Sequence, residues 1–128
     1  MARLLFVLPP AALLVAAAAG LVVGQGPAGA PQRALYVVTH IDVTPNGSAE
    51  TATQVAQLAV ESRKDPGYVR FEVLRSVDRM NHFEVLEVWR TRQDFEAHEA
   101  QEHSKRFREK IQSFLGSPFD QRLYYKLE

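Results

Sequence analysis

An α+β domain with the element order β-α-β-β-α-β, carried behind an apolar leader, is what the sequence predicts, and three observations support it. Every charged side chain except Arg3 falls in residues 33–128, a length that suits one domain with a single core and leaves no room for a second. Within that body, apolar residues alternate in four stretches and recur at helical spacing between them. Clusters of Gly, Pro, Asn and Asp stand at the joints where such an order needs turns.

The leader comes first. Met1-Ala2-Arg3 is a short positive start, Leu4 to Val23 is almost wholly apolar, and small residues follow from Gly24 to Ala30. This order predicts an export signal with its linker over residues 1–32, with candidate small-x-small cleavage sites ending at Ala19, Gly24 or Ala30. An apolar run of this length also suffices to cross a hydrocarbon core of about 30 Å, so a retained anchor over residues 4–23 is the second reading. Pro9 and Pro10 favour the cleaved form, because each removes a hydrogen bond from a helix interior. On both readings the body is exported, periplasmic or secreted, and meets a membrane only through this segment.

In the body, Ala34 to Val43 is β-branched and alternating, with Leu35, Val37, Thr39, Ile41 and Val43 on one face and Tyr36, Val38, His40 and Asp42 on the other, which predicts the first strand. Thr44-Pro45-Asn46-Gly47-Ser48 is a turn. Ser48 is placed to cap a helix from Ala49 to about Lys64 whose inward stripe reads as Ala52, Val55, Ala56, Ala59 and Val60. Asp65-Pro66-Gly67 stops that helix, and Tyr68 to Val77 alternates again, with Val69, Phe71 and Val73 opposed to Arg70, Glu72 and Leu74. A polar turn then leads to His82–Arg90, in which Phe83, Val85, Glu87 and Trp89 share a face, so the second and third strands form a hairpin. Thr91 or Asp94 opens a helical stretch to about Ala100. A second helical piece runs from about Glu102 to Leu115 with Phe107, Ile111 and Phe114 on its stripe. Gly116-Ser117-Pro118 closes it, and Leu123, Tyr125 and Leu127 alternate with polar neighbours in a last strand. The order is the split β-α-β pattern, an antiparallel sheet with helices on one face. Tyr36, Val38, Leu74 and Tyr124 recur on the other face, which points to a homodimer packed sheet to sheet.

Composition removes several functions. With a formal net charge of +0 and no basic run there is no footprint for nucleic acid. The absence of Cys removes disulfides, thiol nucleophiles and cysteine metal sites. No Gly-rich phosphate loop and no Gly-x-Ser-x-Gly occurs. Glu84 and Glu87 point to opposite faces of their strand and make no carboxylate pair, while Glu96, Glu99, Glu102 and Glu109 read as solvated helix charges. Histidines remain as groups that titrate near neutrality. His40, His98 and His103 fall where the first strand and the last helical region could converge. His82, beside the hairpin turn, reads as exposed. No metal site is expected, since a five-residue step from His98 to His103 splays the two rings in a regular helix.

The stretch Glu84-Val-Leu-Glu-Val-Trp89, followed by Phe95-x-x-His98 and His103-x-x-x-Phe107, resembles the antibiotic biosynthesis monooxygenase (ABM) domain, especially its quinol monooxygenase-like members. The turn Thr44-Pro45-Asn46-Gly47 and the entry Asp65-Pro66-Gly67-Tyr68 add to the match, which spans roughly the whole body. The resemblance implies a ferredoxin-like subunit of a dimeric α+β barrel, with a pocket between sheet and helices. It also implies oxygenation of a quinol or other small polyphenolic aromatic by O2 without flavin, haem or metal. A deprotonated dihydroxyaromatic can itself reduce O2, so the protein need supply only an apolar slot, a base and a donor for the developing anion. On this reading Trp89, Phe95 and Phe107 line the slot, His98 or His103 is the base, and His40 or Tyr36 gives a polar contact.

The haem-degrading relatives offer a contrast. They carry an Asn in the first strand, a Trp in the last helical region and an axial His beyond it, where this chain has His40, His98 and Phe107. The axial ligand is thus missing, with His103 one turn earlier as the one substitute, so haem is disfavoured. A non-catalytic module that binds a small aromatic or haem, and a haem-degrading monooxygenase-like protein, stay open as alternatives.

Overall fold

The computed structural model describes residues 32–127, so the export signal and anchor readings fall outside the described residues. Among these, no helix is long and apolar enough to cross a membrane. Strand β1 (Leu35–Asp42) is central. It pairs antiparallel with β3 (His82–Trp89) on one side and β4 (Asp120–Tyr125) on the other, and β2 (Tyr68–Arg75) completes the sheet against β3, giving the order β2-β3-β1-β4. Helices α1 (Ser48–Ser62), α2 (Arg92–Glu99) and α3 (Glu102–Gln112) complete the α+β, ferredoxin-like arrangement.

Strand alternation decides which face the helices cover. Leu35, Val37, Thr39 and Ile41 of β1 and Phe83, Val85, Glu87 and Trp89 of β3 are all buried on the helix side. The main core joins Ile41, Phe71, Phe83 and Val85 of the sheet to Val55 and Leu58 of α1 and to Phe107 and Ile111 of α3. A second cluster of Leu35, Val37, Trp89 and Phe95 sits at one end of the sheet, with Tyr68 packed against both clusters. Burying a large apolar side chain contributes on the order of 1.5–3 kcal/mol. The second cluster is therefore a small structural unit built around Trp89.

Four local expectations change. The inward stripe of α1 is Thr51, Val55, Leu58 and Ser62, whereas Ala56 and Val60 face solvent. Val55, Leu58 and Ser62 follow the three- and four-residue steps of one helix face, and burying the larger Leu58 outweighs an alanine-rich side. Ser48 begins the helix without capping it, and its hydroxyl donates instead to the Met80 carbonyl at 2.6 Å. In β2 a bulge between Tyr68 and Arg70 inserts Val69, which turns outward and lets Tyr68 face inward. Helix α3 ends at Gln112, so that Leu115 bridges to Val43 rather than continuing the helix.

Candidate active site

Three segments meet at one end of the sheet. The first is the turn after α1, where Asp65 is held by its amide donating to the Ser62 carbonyl at 3.1 Å and its carbonyl accepting from Tyr68 at 3.2 Å. Gly67 makes this turn possible with φ +80, a conformation L side chains avoid, and a Cβ there would collide with Asp94. The second is the end of β3, where alternation puts Glu87 and Trp89 on the buried face. The third is the junction of α2 and α3. Thr91 caps α2 by accepting from the Asp94 amide at 3.0 Å. Gln101 is extended and breaks the helical run, and the His98 carbonyl freed by the break accepts from the Gln101 amide at 3.0 Å and the Ser104 hydroxyl at 2.7 Å.

His98 is the centre of this arrangement. It is 2 % exposed and lies stacked on Trp89, ring centroids 4.5 Å apart, with Phe95 and Phe71 rings at 6.4 Å. Its Nδ1 lies 2.7 Å from Asp65 Oδ2, and the same oxygen is 2.8 Å from His103 Nε2. Its Nε2 lies 3.3 Å from Ser104 Oγ and 3.7 Å from Glu87 Oε2. Burial lowers the basicity of His98, against the upward pull of Asp65. Burial also pushes the Glu87 carboxyl up to about 7, although the Trp89 indole donates to it at 2.9 Å and favours the anion. Burial thus favours the neutral form of both the carboxyl and the imidazole beside it.

A small cavity opens beside this pair, walled by Glu87, His98, Ser104 and Phe107 and floored by Thr39 and Gln121. Glu99 and Arg108 are ion-paired at its rim, and the Arg108 guanidinium lies 4.7 Å from the centre of the Phe119 ring. The space open to centres of water-sized molecules is about 20 Å³, enough for a water or a diatomic gas. Glu99 is therefore a rim group rather than a freely solvated helix charge.

The structure brings together His98, His103, Trp89, Phe95 and Phe107 and separates two other expected contributors. His40 and Tyr36 occupy the opposite face of β1, because their parity in the strand is that of Val38 and not of Val37. His40 is exposed there, with Nδ1 3.8 Å from Glu84. His82, expected to be exposed, is half-buried, with Nδ1 2.6 Å from Asp42. The helix break also removes the geometric objection to a metal, since the two imidazoles converge, their ring centroids 5.5 Å apart. Donor atoms of Asp65, His98 and His103 lie within 4.8 Å of one another, a set that could take an ion of the zinc type. Sequence reasoning passed over Asp65, Glu87 and Ser104. Of these, Glu87 had a signal, as a carboxyl on the same strand face as Phe83, Val85 and Trp89.

The family model described as antibiotic biosynthesis monooxygenase matches residues 34–110. The chain belongs to the ABM family. The matched span holds Asp65, Glu87, Trp89, His98, His103 and Phe107, and stops before β4. Solved structures agree on the fold. A candidate antibiotic biosynthesis monooxygenase from Nitrosomonas europaea superposes with a TM-score of 0.71 at 21% identity, covering 77% of this chain and 95% of that one. A Pseudomonas aeruginosa protein gives 0.71 at 21% identity over 78% and 100% of the two chains. A conserved protein from Methanosarcina mazei gives 0.70 at 21% identity over 75% and 95%. No curated protein matches the sequence. The ABM assignment supports a monooxygenase-like, small-molecule-binding fold, and places the cluster around His98 inside the family's own span.

Proposed function

We propose that the protein is a cofactor-independent monooxygenase that oxidises a quinol or small polyphenolic aromatic with O2, using His98 as the base. The observation that supports this reading most is a buried imidazole stacked on Trp89 whose Nε2 faces a cavity also lined by Glu87. The His98 ring takes a phenolic proton. The phenolate passes one electron to O2, and the resulting superoxide and semiquinone combine at a ring carbon. Loss of that carbon's proton then breaks the O–O bond, leaving a new carbonyl oxygen on the ring and releasing the second oxygen as water. A quinol and O2 thus give a hydroxyquinone and water, with the substrate supplying all the electrons. Glu87, neutral when protonated, can give its proton to the departing hydroxide.

The aromatic needs more room than the cavity offers, so its entry requires Arg108 and Phe119 to swing from the rim. Haem is disfavoured on this reading, because Phe107, packed in the core, stands where the haem-degrading relatives carry their axial ligand. The working unit is a homodimer joined through the sheet face opposite the helices, and the chain acts outside the cytoplasm. The test is oxygen uptake by the purified protein, free of metal, flavin and haem, with a panel of reduced quinols. Uptake above autoxidation that falls at least about 100-fold in His98→Ala is expected. Absence of uptake by a well-folded protein would end the catalytic reading and favour a non-catalytic binding module.

A further inference from the structure

We propose that Asp65 is the positioning residue of this site: it fixes His98 in the tautomer with its proton on Nδ1, which leaves Nε2 as the basic nitrogen toward the cavity, while His103 serves as the second donor to Asp65 and not as a base. The proposal deepens the reading of His98 given above and rests on it for its catalytic meaning.

A carboxylate offers only lone pairs, so a 2.7 Å approach of Nδ1 to Asp65 Oδ2 needs a proton on Nδ1. A neutral imidazole has one N–H, so that proton is then absent from Nε2. His103 approaches the same oxygen through Nε2 at 2.8 Å, and that nitrogen is therefore committed as a donor as well. Among the described residues, the ion-pair partners of Asp65 are these two imidazoles, with no Lys or Arg between them. Asp65 is also anchored independently of the rings it orients. Its position comes from the end of α1 and the Gly67 turn, whereas His98 belongs to α2 and His103 to α3.

The far side of His98 is arranged to match. Nε2 faces Glu87 Oε2 at 3.7 Å and Ser104 Oγ at 3.3 Å, and the serine's single proton lies closer to the His98 carbonyl, 2.7 Å away. Glu99 is the other carboxylate near the ring, and it is held by Arg108 at the cavity rim. Trp89 stacking keeps the imidazole from turning over to exchange its two nitrogens. Of two histidines that sequence alone leaves as equal candidates for the base, only His98 presents an uncommitted nitrogen to the cavity.

The tautomer is measurable without a substrate. Long-range ¹H–¹⁵N NMR on the full chain, with ¹⁵N-labelled histidine assigned through His98→Gln, is expected to show His98 protonated on Nδ1 and bare on Nε2 at pH 7.5. In Asp65→Asn, whose amide can turn an N–H donor toward Nδ1, and in Asp65→Ala, which removes the acceptor, the Nε2–H form should gain population. A wild-type His98 that is an Nε2–H tautomer or a full imidazolium at that pH would overturn the proposal, even if both variants fail to fold. The activity arm uses oxygen uptake with a quinol. Asp65→Asn should lower kcat by about 100-fold or more with little change in KM, and His103→Gln, which keeps a side-chain N–H for Asp65, by a smaller factor. Loss in His103→Gln as complete as in His98→Ala, with the His98 tautomer unaltered, would make His103 a base and sink the assignment. A wild-type protein with the stated tautomer but no uptake would fail the monooxygenase reading while supporting the role of Asp65.

Discussion

Glu87 stands on a strand face that otherwise buries apolar side chains, and it ties the stability of the domain to pH. Its carboxyl is pushed up from 4.5 to about 7 by burial. Below pH 4.5 the group is protonated in both folded and unfolded chains. Between 4.5 and 7 the unfolded chain ionises first, so stability falls as pH rises, by about 3 kcal/mol in all. Glu87→Gln removes the titration while keeping an acceptor for the Trp89 indole. Urea unfolding should find the two proteins similar near pH 5 and the Gln variant more stable by up to about 3 kcal/mol near pH 8. A pH-independent difference would contradict the buried neutral acid. His98 acts in the opposite sense: its basicity is lowered by burial, so below about 6.5 the unfolded chain protonates first and stability falls as pH falls. The domain is therefore pressed from both sides at one contact. Alternation across Phe83-x-Val85-x-Glu87-x-Trp89 made the placement of Glu87 legible, but not its burial against His98, which depends on a helix arriving from elsewhere. Asp65 was illegible for a different reason, since Asp-Pro-Gly carries a complete local meaning as a helix stop.

Two connections between elements hold the site in shape: the turn from α1 to β2 and the break between α2 and α3. The turn is the more sensitive. Gly67 has φ +80, its carbonyl accepts from Arg90 at 2.8 Å, and its open side is filled by Asp94 at the start of α2. Gly67→Ala should therefore cost about 2–3 kcal/mol in chemical unfolding, combining backbone strain with displacement of Asp94. An unchanged midpoint would show that the turn relaxes freely. The strands and their order could be read from period-two alternation, which a flat face enforces along a whole segment. The α1 face could not, because Ala52, Ala56 and Ala59 weigh equally in a pattern but unequally in a core that has Leu58 to bury. The bulge at Val69 is likewise invisible locally, since it answers to the register of β3. The break at Gln101 was legible as a gap between one helical piece ending near Ala100 and another starting near Glu102. The angle across the gap was not, so the ring splay of a regular helix was carried through it to His98 and His103.

Among the described residues, the sheet has one face covered by helices and one that is not. On the uncovered side, Tyr124, Tyr36 and Val88 lie in one row across the sheet with Arg70 at its end, and Val38 and Leu86 form the centre of the next between Arg122 and Glu72. His40, Glu84, Asp42 and His82 gather at the far end of the same face. The proposed homodimer buries the apolar centres of these rows. Leu86→Glu places a charge there without touching the core, and sedimentation should then give a monomer where the parent gives a dimer. A variant that stays dimeric would place the contact elsewhere.

The position of β4 has a consequence for how the protein is made. Strand β1, near the start of the domain, is bracketed by β3 and by β4, which ends at Tyr125, so one of its edges stays bare until β4 has been synthesised. Thr39 in particular waits for Gln121, whose side chain donates to it at 3.3 Å in the cavity floor. A nascent chain thus carries the imidazole end of the site before it carries the floor. During that interval the open edge is the part of the molecule most exposed to pairing with a neighbouring chain.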